Sequence, residues 1–142
     1  MTRDQAKSGW EVGLLALVIW REARGEALLT TKQAVAWSIR NRVLRPGWWG
    51  KDWESVILMP FQYSSFNRND PNSTKFPIPG PVWDDCLTAA GQVYTADIPD
   101  LTLGADSYFD MSLDTHPPDW ATDGSKEHTG DWGRLHFYRT LR

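Results

Sequence analysis

The sequence predicts a mainly helical α+β fold, a helical body followed by a small antiparallel β-sheet near the C-terminus. Three observations lead there. Apolar residues recur at helical spacing through residues 10–44 and again through 81–94. After Pro99 short aromatic runs take over, and Gly, Pro, Asn and Asp cluster between the two regimes. With 142 residues, 41% hydrophobic and 23% charged, the chain can bury one core, so residues 1–142 are expected to form a single domain.

The first helix is expected over residues 10–26, with Trp10, Leu14, Leu17 and Val18 facing inward. Thr30 opens the second as N-cap of a capping box closed by Gln33. That helix runs to about Leu44 with Val35, Ala36, Ile39 and Val43 inward, and Pro46-Gly47 stops it. A short third helix at 53–59 ends at Pro60. Residues 62–81, rich in Ser, Asn, Asp and Pro, read as loop. Gly80-Pro81 starts a fourth helix to Tyr94, with Trp83, Leu87, Ala90 and Tyr94 on one side. Residues 105–109 and 135–139 read as strands, and the stretch 110–134 between them as a long functional loop.

Composition excludes several classes. A net charge of −3 and a pI of 5.5 argue against nucleic acid as a partner, since neutralising phosphates takes a surplus of Lys and Arg. The apolar run 14–20 is too short to span a membrane, so no stable membrane insertion is expected. Asp4 and Glu11 precede it and no small-residue cleavage site follows, so synthesis in the cytoplasm without a signal peptide is expected. The single cysteine, Cys86, excludes an internal disulfide and reads as buried filler. None of the three histidines, His116, His128 and His136, falls in a HExxH pattern, so neither a metal nor another cofactor is expected. A G-x-S-x-G elbow is missing as well.

Two features point to chemistry. Nine tryptophans are many for this length, and Trp48, Trp49, Trp53, Trp120 and Trp132 sit among Gly, Pro and Asp, where no periodic core face exists. Indole rings there serve either as structure or as platforms for flat apolar faces, those of sugar rings included. The second feature is Arg21-Glu22-Ala23-Arg24-Gly25-Glu26, where the apolar run ends. If the helix continues to residue 26, Leu14, Val18, Glu22 and Glu26 share one face. A carboxyl at the edge of an apolar stripe is harder to ionise, as a general acid near neutral pH requires. The alternative is that Arg21 and Arg24 pair with Glu22 and Glu26 as surface charges closing the helix.

These motifs, taken in order, resemble the spore cortex-lytic type of cell-wall hydrolases. The matching pieces are Glu22-Ala23-Arg24-Gly25-Glu26, Ala34-Val35-Ala36-Trp37 through Asn41-Arg42-Val43, Gln62-Tyr63-Ser64, Gly104 through Phe109, Pro118-Asp119-Trp120 and His136 through Arg139. The resemblance implies a lysozyme-like, lytic-transglycosylase-like fold and cleavage of the β-1,4 bond between N-acetylmuramic acid and N-acetylglucosamine in peptidoglycan. It assigns the catalytic acid to Glu22. Glu26 is the second catalytic candidate. It orients Glu22, binds Arg24 or Arg42, holds the sugar, or forms a structural salt bridge. Gln62, Tyr63 and Ser64 form the family's cleft segment. Tyr108, Trp120 and Tyr138 are candidates to pack on sugar rings or position Glu22, with sheet packing as the alternative for the two tyrosines. His136 is a candidate hydrogen-bonding residue at the sheet edge.

Most glycosidases need a second carboxylate. Asp106, Asp110, Asp119 and Asp123 are available, but none is marked by an equally sharp motif. Lytic transglycosylases manage with one glutamate because the muramic acid's own 6-hydroxyl attacks, and that route is expected here over hydrolysis. Spore members of the family carry export signals and often a wall-binding module. A bare catalytic domain looks like a phage endolysin, held in the host cytoplasm and released through a holin to act on glycan strands as a monomer. The rival reading is a tryptophan-rich glycan-binding domain without activity, which has no use for a glutamate on an apolar helix face.

Overall fold

The computed structural model describes residues 1–59, 63 and 70–141. Helix α1 spans Arg3–Ala23, starting well before the apolar pattern does. The cause is a capping box at the chain start. Thr2 Oγ1 accepts from the Gln5 N–H at 3.1 Å, and the Thr2 N–H donates to Gln5 Oε1 at 2.8 Å. Trp10 is 57% exposed and belongs to this early polar part rather than to the core. The C-terminal end also differs from expectation. α1 stops at Ala23, and Glu26 lies beyond it in a turn closed by Glu26 N–H to the Ala23 carbonyl at 3.0 Å. Gly25, the residue with most backbone freedom to lose, sits at that break.

Helix α2 spans Leu29–Leu44 and is buried on nearly every side. Its N-cap is Leu28, which has no side-chain acceptor, so the box expected at Thr30 does not form. Instead the Lys32 ammonium donates to the Glu26 carbonyl and anchors the turn before α2. Helix α3 spans Trp53–Ile57 and is capped by Asp52, whose carboxylate accepts from the Ser55 N–H at 2.8 Å. Helix α4 spans Pro81–Tyr94 with Pro81 at its first position. It buries Cys86, Ala89, Ala90 and Val93, while Leu87 is 38% exposed, so its inner face is turned from the expected one. Small residues let α4 approach α1 and α2 closely. Trp83 and Tyr94 lie at its edges, and the Tyr94 hydroxyl donates to Glu11 at 2.8 Å.

The sheet has three antiparallel strands, β1 (Ser107–Asp110), β2 (Lys126–Trp132) and β3 (Leu135–Thr140), in the order β1-β3-β2. A short helix α5, Asp119–Thr122, precedes β2. The expected loop 110–134 therefore contains a whole strand. β2 is an edge strand, Lys-Glu-His-Thr-Gly-Asp-Trp, polar but for Gly130 and Trp132 and with no fully buried residue, so it lacks the apolar alternation that betrays a half-buried strand. Gly133 (φ +56°) and Arg134 make its two-residue hairpin to β3, with Gly at the first central position as a type II′ turn needs.

The core joins both halves. Leu15, Val18 and Ile19 of α1, Val35, Ala36 and Ile39 of α2 and Val93 of α4 are fully buried together with Phe137 of β3. Polar pins from α2 hold the sheet in place. Asn41 donates to Asp100 Oδ2 at 2.9 Å and to the Ala105 carbonyl at 2.8 Å, and Arg42 Nε donates to the Asp106 carbonyl at 2.6 Å. The mainly helical α+β architecture expected from sequence is the one observed. No helix among the described residues is long and apolar enough to cross a membrane.

Candidate active site

α1 delivers Glu22 to the mouth of a cavity of about 310 Å³. About two turns of apolar residues, 14–20, bury the helix up to that point, so Glu22 sits where the core ends and the cavity begins. Burial pushes its carboxyl up to about 7, and the negative charge of Asp70 adds to the shift. Near neutrality the group therefore exists in both states, which suits it to give and then take a proton.

Aromatic and cationic groups complete the lining. Tyr63 is 4% exposed, and burial raises its phenol above the ordinary range, with Glu22 and Asp106 adding and Arg42 opposing. Tyr108, on β1, is raised well above the usual value by burial first and by the Glu22 charge next. Its hydroxyl is buried and has no hydrogen-bond partner among the described residues. Trp48, 65% exposed, and Trp120 of α5 both line the cavity.

Arg42 and Lys126 bring positive charge. The Arg42 guanidinium lies over Trp49 at 5.1 Å and Tyr63 at 5.7 Å. Lys126 Nζ donates to Ser107 Oγ at 2.7 Å and Thr140 Oγ1 at 3.0 Å, and sits 3.6 Å from Asp106 Oδ1. Burial lowers the Lys126 ammonium, with Asp106 raising it and Arg42 lowering it further. It also lies 5.2 Å over the Trp120 ring.

The structure thus brings Glu22, Tyr63, Tyr108 and Trp120 of the sequence candidates to one cavity. Glu26 is not among the lining residues. α1 ends too early to put it under Glu22, and its carboxylate accepts from the Arg134 N–H at 3.1 Å, tying the α1–α2 turn to the β2–β3 hairpin. Arg21 and Arg24 turn to another segment: Arg21 donates to the Lys75 carbonyl at 3.0 Å and Arg24 to Asn72 Oδ1 at 2.8 Å. His136 and Tyr138 lie on the outer sheet face. Tyr138 packs on Trp120 and Phe109 at ring separations of 5.4 and 5.7 Å. Gln62 and Ser64 lie outside the described residues.

Asp106, Asp110 and Asp123 have other work. Asp106 accepts from the Thr140 N–H and hydroxyl and from Ser107. Asp110 caps the 3-10 turn Met111–Leu113 and Asp123 accepts from Ser125 N–H, each at 2.8 Å. Asp70, which acts on Glu22 through its charge, accepts from Asn72 N–H at 2.7 Å. Glu22 is the only carboxylate among the described lining residues.

Sequence reasoning marked Trp48 as a possible sugar platform but missed Arg42, Ser107 and Lys126 as cavity residues. Arg42 and Ser107 were inside matching motifs, so a signal existed for them. Lys126 had none, because its strand had none. Cys86 is fully buried with its thiol pushed up to about 11, the inert filler expected.

A model of the cell wall hydrolase family matches residues 28–138. The chain belongs to this family. No curated protein and no solved structure matches it. Membership makes peptidoglycan the substrate class of this cell wall hydrolase. The matched segment contains Arg42, Tyr63, Tyr108, Trp120 and Lys126 of the cavity; Glu22 lies just upstream of it.

Proposed function

We propose that this cell wall hydrolase cuts the N-acetylmuramic acid–N-acetylglucosamine β-1,4 bond as a lytic transglycosylase, with Glu22 as its one acid and base. The observation that carries this reading is a half-buried glutamate, raised to about 7, that is the only carboxylate among the described lining residues. Protonated Glu22 gives its proton to the glycosidic oxygen as the C1–O bond breaks. The resulting carboxylate then takes the proton of the muramic acid 6-hydroxyl, whose oxygen closes on C1 to leave a 1,6-anhydro end. A two-carboxylate mechanism places the second group about 5–9.5 Å from the first, a position that no other described lining residue fills.

Trp48 and Trp120 offer the faces on which sugar rings stack, and the Tyr108 hydroxyl offers a buried donor for an N-acetyl or hydroxyl oxygen. Mass spectrometry of soluble muropeptides from purified peptidoglycan tests the reading. Anhydro-muramic ends made by wild type and absent with Glu22→Gln support it. Reducing muramic ends mean a muramidase, and free stem peptides or an active Glu22→Gln enzyme overturn the assignment. The rate of cleavage should fall as pH rises through about 7, where Glu22 loses the proton it must donate. The proposed setting is an endolysin, made in the host cytoplasm and acting on the wall as a monomer once a holin opens the membrane. It is carried by the sequence pattern alone. Lysis only when a pore-forming agent is added to expressing cells is the expected result, and lysis on expression alone contradicts it.

A further inference from the structure

Outside the cavity, the outer face of the sheet carries a cluster that the chemistry above does not use. His128 and Asp131 stand on β2 and His136 on β3. Three residues apart on a regular strand, His128 and Asp131 would point to opposite faces. The register shift between His128 and Gly130 adds one residue and returns Asp131 to the face of His128. Asp131 then pairs across the ladder with His136, and His128 with Tyr138. Asp131 Oδ1 lies 2.6 Å from His128 Nε2 and 2.7 Å from His136 Nδ1. The other nitrogen of His136, Nε2, meets Asp114 Oδ1 at 2.7 Å.

A neutral imidazole has one N–H and one lone pair. His136 has a carboxylate oxygen against each nitrogen, so the neutral ring aims a lone pair at an anion unless a cation stands between them. Nδ1 is where a cation gains most, because three ligand atoms, one each from His128, Asp131 and His136, lie within 4.8 Å of one another. Nε2–H is then free to donate to Asp114, the carboxylate support that a metal-bound histidine usually has.

We propose that His128 Nε2, His136 Nδ1 and Asp131 form a site for a divalent transition ion, with Asp114 orienting His136. Two imidazoles and a carboxylate suit Zn²⁺, whereas Ca²⁺ and Mg²⁺ take oxygen shells. Bonds of about 2.0–2.1 Å in a tetrahedron separate ligand atoms by roughly 3.3 Å, so Asp131 withdraws by about half an ångström on binding. Its side chain is 44% exposed and has room to do so. The ion joins β2 to β3 and, through Asp114, to the segment after the 3-10 turn. His128 also touches Tyr138 at 5.1 Å, and Tyr138 touches Trp120, so the clamp backs one wall of the cavity.

The test uses the full chain, without an affinity tag and stripped of metal by chelation. Calorimetric titration with Zn²⁺ should show one ion per chain with a Kd of about 1 μM or tighter. Co²⁺ in its place should give the intense visible bands of a tetrahedral site. His128→Ala and Asp131→Asn, both at exposed positions, should each weaken binding at least about tenfold, and Asp114→Asn by about 10- to 100-fold. Melting temperatures in chelator should stay close to wild type, which separates lost binding from lost fold. Failure of the wild type to bind Zn²⁺ overturns the proposal and leaves a proton as the occupant of the cluster. Binding that survives both His128→Ala and Asp131→Asn unchanged overturns it too, placing the ion elsewhere.

Discussion

At the scale of single residues, Glu22 carries a cost that its proposed chemistry explains. The native chain holds a proton there that the unfolded chain releases between its ordinary value of 4.5 and about 7. The native state binds more protons over that window, so stability falls as pH rises through it. Glu22→Gln removes the ionisation. The variant should gain up to about 3 kcal/mol over wild type at pH 8 and little at pH 4, while cleavage falls by about 10²-fold or more. Urea unfolding at the two pH values checks this, and an equal difference at both contradicts it. Tyr108→Phe is the companion case. Its buried hydroxyl has no described partner, so its loss should leave stability unchanged or raise it by about 1 kcal/mol, yet reduce kcat/KM by about tenfold. Glu22 was legible in the sequence because the apolar run beside it is local. Lys126 was not, because its place in the cavity comes from a strand pairing across the chain.

At the scale of elements, the helices were legible where burial follows a stripe and misjudged at their ends. Thr2 and Gln5 lengthened α1, and the break at Gly25 shortened it, which removed Glu26 from the face of Glu22. The freed carboxylate found a different role at the hairpin turn. Gly133 makes that contact possible: its φ is +56°, and a methyl group there would fall on the Glu26 carboxylate and within 2.9 Å of Thr31 Oγ1. Gly133→Ala should therefore cost about 1–3 kcal/mol, combining backbone strain with the displaced contact. Thermal melts measure it, and a cost below about 0.5 kcal/mol would mean that the turn relaxes without loss. β2 was illegible for a related reason. An edge strand that faces water is specified by its partner and its turn, and neither shows in its own polarity.

At the scale of the molecule, α2 is the hub. It is packed against α1, α3 and α4, and its Asn41 and Arg42 reach out to the start of β1. The family resemblance had placed Asn41-Arg42 and Gly104-Ala105-Asp106 in separate motifs; the structure shows them hydrogen-bonded to each other. Asn41→Ala leaves the Ala105 carbonyl and Asp100 without that donor. The variant should lose about 2–3 kcal/mol in a single cooperative transition seen alike by far-ultraviolet circular dichroism and tryptophan fluorescence. Two separate transitions would mean that the helical body and the sheet unfold independently.

The cavity draws its lining from α1, α2, the α2–α3 loop at Trp48, the segment at Tyr63, β1, α5 and β2, the last of them Lys126. Among the described residues β2 in turn is paired only with β3, which ends at Thr140. During synthesis, therefore, a nascent chain carries Glu22 from the first helix onward, before the strands that complete the cavity around it exist. The cavity is complete only once β3 has been made and β2 has paired with it, so a chain cut short before β3 should lack the groove that the proposed chemistry needs.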